Sequence, residues 1–162
     1  MMSNGDAVIL HTGTITGLAN YPRGRLTPTA PHRTLFISGT SSRRPDGTFA
    51  GARNFSSGHE EAEKLENDLS HGFDVQEQTA AILRNIEEVI KNATKGKGGL
   101  GNLIDATVFL VNMRRDYAGM NAVWNGVWPR FDEAPARTTI GVKELPSPEM
   151  IIEIKCTAIV DL

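Results

Sequence analysis

The sequence predicts an α+β fold, a mixed β-sheet with two main helices on one face. Three observations carry this. Strand-like and helix-like runs succeed one another as strand, helix, strand, helix, strand, strand. The two helix-like segments each carry a single apolar stripe, and the final strand alternates with period two. Two helices cannot cover both faces of a sheet this size. Its other face is therefore solvated or buried in an oligomer, and a strand apolar on both sides favours the oligomer.

The first strand is read at Thr34 to Thr40 (TLFISGT), a β-rich run ending beside a glycine. Arg43 and Arg44 follow, then a Pro-Asp-Gly turn at 45–47. Residues 48–73 are polar and Gly/Ser-rich, a long excursion in which Ala62, Leu65 and Leu69 fit one side of a short helix. The strongest helix begins at Asp74, with Glu77 three residues on as in a capping box. Val75, Ile82, Ile86, Val89, Ile90 and Ala93 recur at helical spacing, and the glycines at 96, 98, 99 and 101 stop it. Residues 103–112 (LIDATVFLVN) read as a strand buried on both faces. A second helix starts near Asp116 and must end at Pro129; Tyr117, Met120, Trp124, Val127 and Trp128 make its apolar face. Two strands close the chain, Arg137 to Leu145 and Met150 to Val160, joined through Pro146 and Pro148. In the last, Met150, Ile152, Ile154, Cys156, Ala158 and Val160 point one way, and Glu153, Lys155 and Thr157 the other.

A chain of 162 residues without internal repeat or linker fits one domain, 1–162. Its core needs no staples, since folding at this size buries roughly 70% of the unfolded surface. The formal charge of −2 argues against a dedicated nucleic-acid or anionic-membrane binder. Cys156 is the lone cysteine, and His11, His32, His59 and His71 never take ligand spacing, so neither a disulfide nor a metal site is expected. No apolar run approaches the roughly 18 residues of a membrane span. The opening Met-Met-Ser-Asn-Gly-Asp has no secretory signature, so the expected location is cytoplasmic.

Several residues admit a chemical and a bland reading. Arg137 opens a strand, where a guanidinium either grips a carboxylate bidentately or sits in solvent. Glu153 is either a proton-handling carboxylate among apolar neighbours or the polar side of an alternating strand. Asn121 falls about 40° round the second helix from Tyr117 at ~100° per residue, placed to orient a ligand or to satisfy a backbone group. Gly39 either lets a ligand approach the backbone or simply ends a strand, and Ser38 beside it lacks the context of a nucleophile elbow. Arg43 and Arg44 are solvated or reach a ligand. Cys156 belongs to the inward set and reads as inert core.

Together these pieces resemble a known family. The block ARTTIGVKELPSPEMIIEIKCTAIV (136–160) is similar to the signature of the reactive-intermediate deaminase (Rid, YjgF-like) superfamily, and DATVFLVNMRRDYAGMNAVW (105–124) to its strand, aspartate and Asn-bearing helix. FISGTSSRRPDGTFAGA (36–52) resembles the 2-aminomuconate deaminase branch. The resemblance implies a chorismate-mutase-like fold, a homotrimer with active sites between subunits, and no metal or organic cofactor. By position it implies that Arg137 binds a substrate carboxylate and Glu153 activates water, with Gly39, Asn121 and Tyr21 lining the cleft. Many relatives carry a cysteine where this chain has Thr139. The implied reaction hydrolyses an enamine or imine to a 2-oxo acid and ammonia. 2-Aminomuconate to 4-oxalocrotonate, a step in breaking down tryptophan- or aminophenol-derived rings, is the substrate reading. General scavenging of 2-aminoacrylate-type imines and non-catalytic ligand binding are the alternatives. For 2-aminomuconate, Arg43 or Arg44 would meet the distal carboxylate.

Overall fold

A computed structural model describes residues 4–9, 18–51 and 72–161. The chain forms β1 (Asp6–Val8), β2 (Gly24–Leu26), β3 (Arg33–Thr40), α1 (Val75–Ala93), β4 (Leu103–Leu110), α2 (Met113–Val127), β5 (Ala136–Gly141) and β6 (Ile152–Val160). The four long strands make one sheet in the order β3-β6-β4-β5. Strand β6 runs antiparallel to both neighbours, whereas β4 and β5 are parallel and need α2 as their crossover. The sheet is therefore mixed, with α1 and α2 packed on it. The short β1 and β2 pair with each other, apart from the main sheet.

Helix α1 starts where its cap dictates. Asp74 Oδ1 accepts the Gln76 and Glu77 amides at 2.8 and 3.1 Å. Its stripe of Ile82, Ile86 and Ile90 is fully buried against Ala106, Val108 and Leu110 of β4, Ile152, Ile154 and Cys156 of β6, and Met120 and Trp124 of α2. The two ends of the excursion are tied together, because the Asp74 amide donates to Gly51 O at 2.7 Å. Gly51 has φ +74°, and a Cβ there would meet Asp74 O at 2.7 Å, so the junction requires glycine. The short helix read around Ala62, Leu65 and Leu69 lies outside the described residues.

Several boundaries move. Strand β4 ends at Leu110 because Asn112 is the N-cap of α2, its side chain accepting the Arg115 amide at 3.1 Å. Helix α2 thus begins three residues before Asp116. That aspartate is 3% exposed and held bidentately by Arg115, both bonds 2.7 Å. In the single chain β4 is buried on its helix side only; Asp105 is exposed, and Thr107 and Phe109 are half-buried. Val89 and Val127, read as stripe residues, are instead exposed at the stripe margins. Strand β5 stops at Gly141, and β6 starts at Ile152 after a lead-in held by α1: the Ile151 amide donates to Gln78 Oε1 at 3.2 Å. The pairing of β1 with β2 escaped the sequence reading, because three-residue strands carry no usable alternation.

Candidate active site

Arg137 is the second residue of β5. Its register partner is Ala106 of β4, itself opposite Cys156 of β6, so Arg137 faces the helices and the core. It is 9% exposed. Its Cζ lies 4.8 Å from the centre of the Tyr21 ring and 4.7 Å from that of Trp124, and Nη1 donates to Met120 Sδ at 3.5 Å. Nε and Nη2 are buried with no hydrogen-bond partner, and no ion pair reaches the side chain from the described residues. Burial pushes the guanidinium pKa down; Tyr117 and Tyr21 oppose that. Nε–H and Nη2–H are the two parallel donors of the guanidinium's side-on edge, so the unpaired edge is the one that matches a carboxylate.

The Tyr21 ring is held over Arg137 by its neighbour. The Asn20 amide donates to Asn125 Oδ1 at 2.9 Å, and its side-chain nitrogen to Trp128 O and Pro129 O at 2.9 and 3.0 Å. In return, the Trp124 indole N–H donates to Asn20 O at 2.8 Å. Arg25 anchors the same region by donating to Ala134 O and Asn4 Oδ1. Sequence reasoning missed Asn20 and Arg25. The available signal was that a buried indole N–H must find an acceptor, which says that a partner exists and not which residue it is.

Glu153 and Gly39 are brought together at the other side of the sheet. Glu153 pairs with Phe109, a half-buried residue of the helix-free face. A Cβ on Gly39 would stand 2.8 Å from Glu153 Cδ, so the carboxylate lies directly against the glycine backbone. The β3–β6 ladder shifts register between Ile37 and Thr40, where Gly39 falls. Within one chain Arg137 and Glu153 are not neighbours. They occupy opposite faces, and their strands β6 and β5 are two strand spacings apart with β4 between them, roughly 10 Å.

Asn121 is 6% exposed on the α2 face that meets Arg137, with Oδ1 buried and unpaired; Thr139 Oγ1 on β5 is likewise buried and unpaired. Arg43 and Arg44 serve their own turn. Arg43 Nε donates to Gly47 O at 3.4 Å and Arg44 Nη1 to Phe49 O at 3.0 Å, and both residues are exposed. Among the described residues, no three or more His, Cys, Asp or Glu side chains gather as metal ligands. A cleft of about 240 Å³ lies between the start of α1 and the first turns of α2, lined by Phe73, Asp74, Arg115 and Gly119 among others. Sequence reasoning did not anticipate it.

Two helices on a four-stranded mixed sheet is the architecture of the solved Rid and YjgF proteins. The Rid-family protein YyfB from Yersinia pestis aligns with a TM-score of 0.65 at 21% identity, covering 94% of this chain and 96% of its own. NMB1025 from Neisseria meningitidis, of the YjgF family, aligns with a TM-score of 0.52 at 26% identity over 80% of each chain. The sequence profile described as Endoribonuclease L-PSP matches residues 29–160, and the chain belongs to that family, the Rid or YjgF family. The mitochondrial protein mmf2 of Schizosaccharomyces pombe is 36% identical over 86 residues, 52% of this chain and 64% of mmf2. A RutC family protein of Aquifex aeolicus is 29% identical over 87 residues, 53% of this chain and 65% of its own. Each match spans less than two thirds of the curated relative. None of the described helices is long and apolar enough to cross a membrane.

Proposed function

We propose that the protein is a deaminase that hydrolyses an enamine or imine to a 2-oxo acid and ammonia, without a resident metal or organic cofactor. The observation that carries this reading is the unpaired Nε/Nη2 edge of the buried Arg137. A cation kept from water without a counter-charge is costly, and a substrate carboxylate offsets that cost. The chemistry needs little else. The enamine gains a proton on carbon and loses one from nitrogen, giving the imine. Water then adds across the C=N bond, the nitrogen is protonated, the C–N bond breaks, and ammonia leaves behind a carbonyl. Glu153 takes the proton from water and returns it to nitrogen, while the Gly39 backbone, Asn121 and Tyr21 fix the substrate.

Arg137 lies on edge strand β5, and Glu153 lies beside edge strand β3 on the opposite face. A site that uses both therefore joins two copies. The assembly we propose is a homotrimer with one site at each subunit boundary, which also covers the helix-free face of the sheet.

The SGTSSRRPD block at 38–46 makes 2-aminomuconate the substrate proposed, with 4-oxalocrotonate as product. A second reading, a scavenger of small monocarboxylate imines such as that of 2-aminoacrylate, is favoured by one observation. Arg43 and Arg44 both spend hydrogen bonds on their own turn, and neither is committed to a distal carboxylate.

Ammonia release from freshly generated 2-aminomuconate and 2-aminoacrylate tests the activity and separates the substrates. Arg137→Ala is expected to lower turnover about a hundredfold, the equivalent of about 3 kcal/mol of transition-state binding, with an unchanged circular dichroism spectrum. Wild-type-like turnover in that variant would overturn the reading.

A further inference from the structure

The two guanidinium donors left unpaired on Arg137 are also sealed. Nε and Nη2 are both buried, and the residue as a whole is 9% exposed. A carboxylate therefore reaches them only when a neighbouring group gives way. Met120 and Trp124, which touch the guanidinium from α2, are fully buried in the core. Tyr117, on the same helix, packs against that core. Side chains packed to interior density on a rigid helix do not part for a ligand without losing many contacts at once. Tyr21 is different. Its ring lies 4.8 Å from Arg137 Cζ, on a half-buried segment that belongs to neither α2 nor the sheet. Of the described groups against the guanidinium, it is the one free to move.

What holds the ring down is Asn20, and every bond that it makes across the gap ends on one place, the last turn and exit of α2. Its amide donates to Asn125 Oδ1 at 2.9 Å, its side chain donates to Trp128 O and Pro129 O, and its carbonyl accepts the Trp124 indole N–H at 2.8 Å. One residue thus fixes both rings beside Arg137, Tyr21 as its chain neighbour and Trp124 through its only polar atom. On the other side of Tyr21 the chain is tied elsewhere. Pro22 is buried, and the Arg23 amide donates to Val8 O at 3.0 Å. The ring therefore sits between a fixed end and a separate fastening made of a few hydrogen bonds.

We infer that Asn20 and Asn125 are positioning residues that latch Tyr21 over Arg137, and that a carboxylate reaches the guanidinium only while this latch is undone. The inference rests on the carboxylate-binding role proposed for Arg137 and adds how access to it is controlled. Closed, the ring excludes water from the bound ion pair, which strengthens it. Open, it admits the acid or releases it. Asn125 Oδ1 is the part of the latch that one substitution removes cleanly, because it serves only as an acceptor there. Asn125→Leu deletes that acceptor and strands the Asn20 amide, whereas Asn125→Asp keeps an acceptor of the same reach.

Stopped-flow tryptophan fluorescence with propanoate, a plain carboxylate at pH 7, tests this. Trp124 and Trp128 are the chain's two tryptophans, and Trp124 touches the guanidinium. When the open form is the minor one, the association rate is proportional to its population. Losing one hydrogen bond from the closed form is therefore expected to speed association about fivefold in Asn125→Leu, and at least as much in Asn20→Ala, which loses two. Asn125→Asp is expected to stay within about twofold of wild type. A variant with a damaged fold binds more slowly or not at all, so faster binding is a signature that a merely structural role does not produce. Faster association in neither Asn125→Leu nor Asn20→Ala, or equal acceleration in Asn125→Asp, overturns the latch; the carboxylate reading then stands if Arg137→Met abolishes binding measured by calorimetry. No propanoate binding to the wild-type protein, binding indifferent to Arg137→Met, or binding that leaves the fluorescence unchanged removes the carboxylate reading, and the latch with it.

Discussion

Glycine at position 39 and glutamate at 153 depend on one another. With a Cβ site 2.8 Å from Glu153 Cδ, even alanine must push the carboxylate away from the β3 backbone. Gly39→Ala is therefore expected to lower turnover by at least about tenfold while leaving the fold intact. A steady-state assay beside a thermal melt checks this, and an active variant would detach Glu153 from the reaction. Cys156 makes a second residue-level argument. It is 1% exposed in the core, and burial pushes its thiol from 9.0 up to about 12, with Lys155 opposing that and Asp105 adding to it. An acid whose folded pKa is raised costs stability once the unfolded chain can ionise. Stability is unaffected below about pH 9 and falls as pH rises from there to about 12, because the unfolded thiol loses its proton and the folded one keeps it. Urea unfolding across that window should show the decline, and Cys156→Val should flatten it.

Among the elements, α1 does more than cover the sheet. Gln78, fully buried in its first turns, donates to Glu149 O at 2.7 Å and accepts from the Ile151 amide at 3.2 Å. One side chain thus satisfies two backbone groups at the entry of β6, the strand that carries Glu153. Gln78→Leu fills similar space and orphans both groups. It is expected to cost about 2 kcal/mol in chemical denaturation, roughly the penalty for leaving buried backbone groups unpaired. A loss under about 0.5 kcal/mol would mean that water replaces the amide. Nothing in the apolar stripe of α1 announced this, since a glutamine in a helix ordinarily faces solvent. Helix α2 shows a similar limit. Its apolar spacing was legible, but its true start depended on Asn112 capping and on Arg115 neutralising the buried Asp116.

At the scale of the molecule, the separation of Arg137 from Glu153 across the sheet makes a sharp experiment possible. If each site takes its arginine from one copy and its glutamate from the next, Arg137→Ala and Glu153→Gln chains should complement. Refolding equal amounts together is expected to restore about one quarter of wild-type activity by random assortment, whereas each variant alone stays inactive. Activity no higher than that of the separate variants would place both residues in one subunit's site. Light scattering on the wild-type protein checks the trimer itself, and a monomer at micromolar concentration would refute it.

The order of the four long strands and two helices, the core stripe of α1, the alternation of β6 and the inward thiol of Cys156 were determined by sequence alone, because each follows from local periodicity or a local cap. The blocks at 105–124 and 136–160 likewise pointed to the family that the profile match then established over residues 29–160. What only the tertiary structure decided is who faces whom across long separations. The sequence could not say that Tyr21 and Trp124 flank Arg137, that Gly39 lies under Glu153, or that the buried Nε and Nη2 of Arg137 are left unpaired. The reason is physical. Burial and partner choice at these positions arise when elements distant in the chain pack together, and an arginine at the start of a strand looks the same in sequence whether it meets water or two aromatic rings.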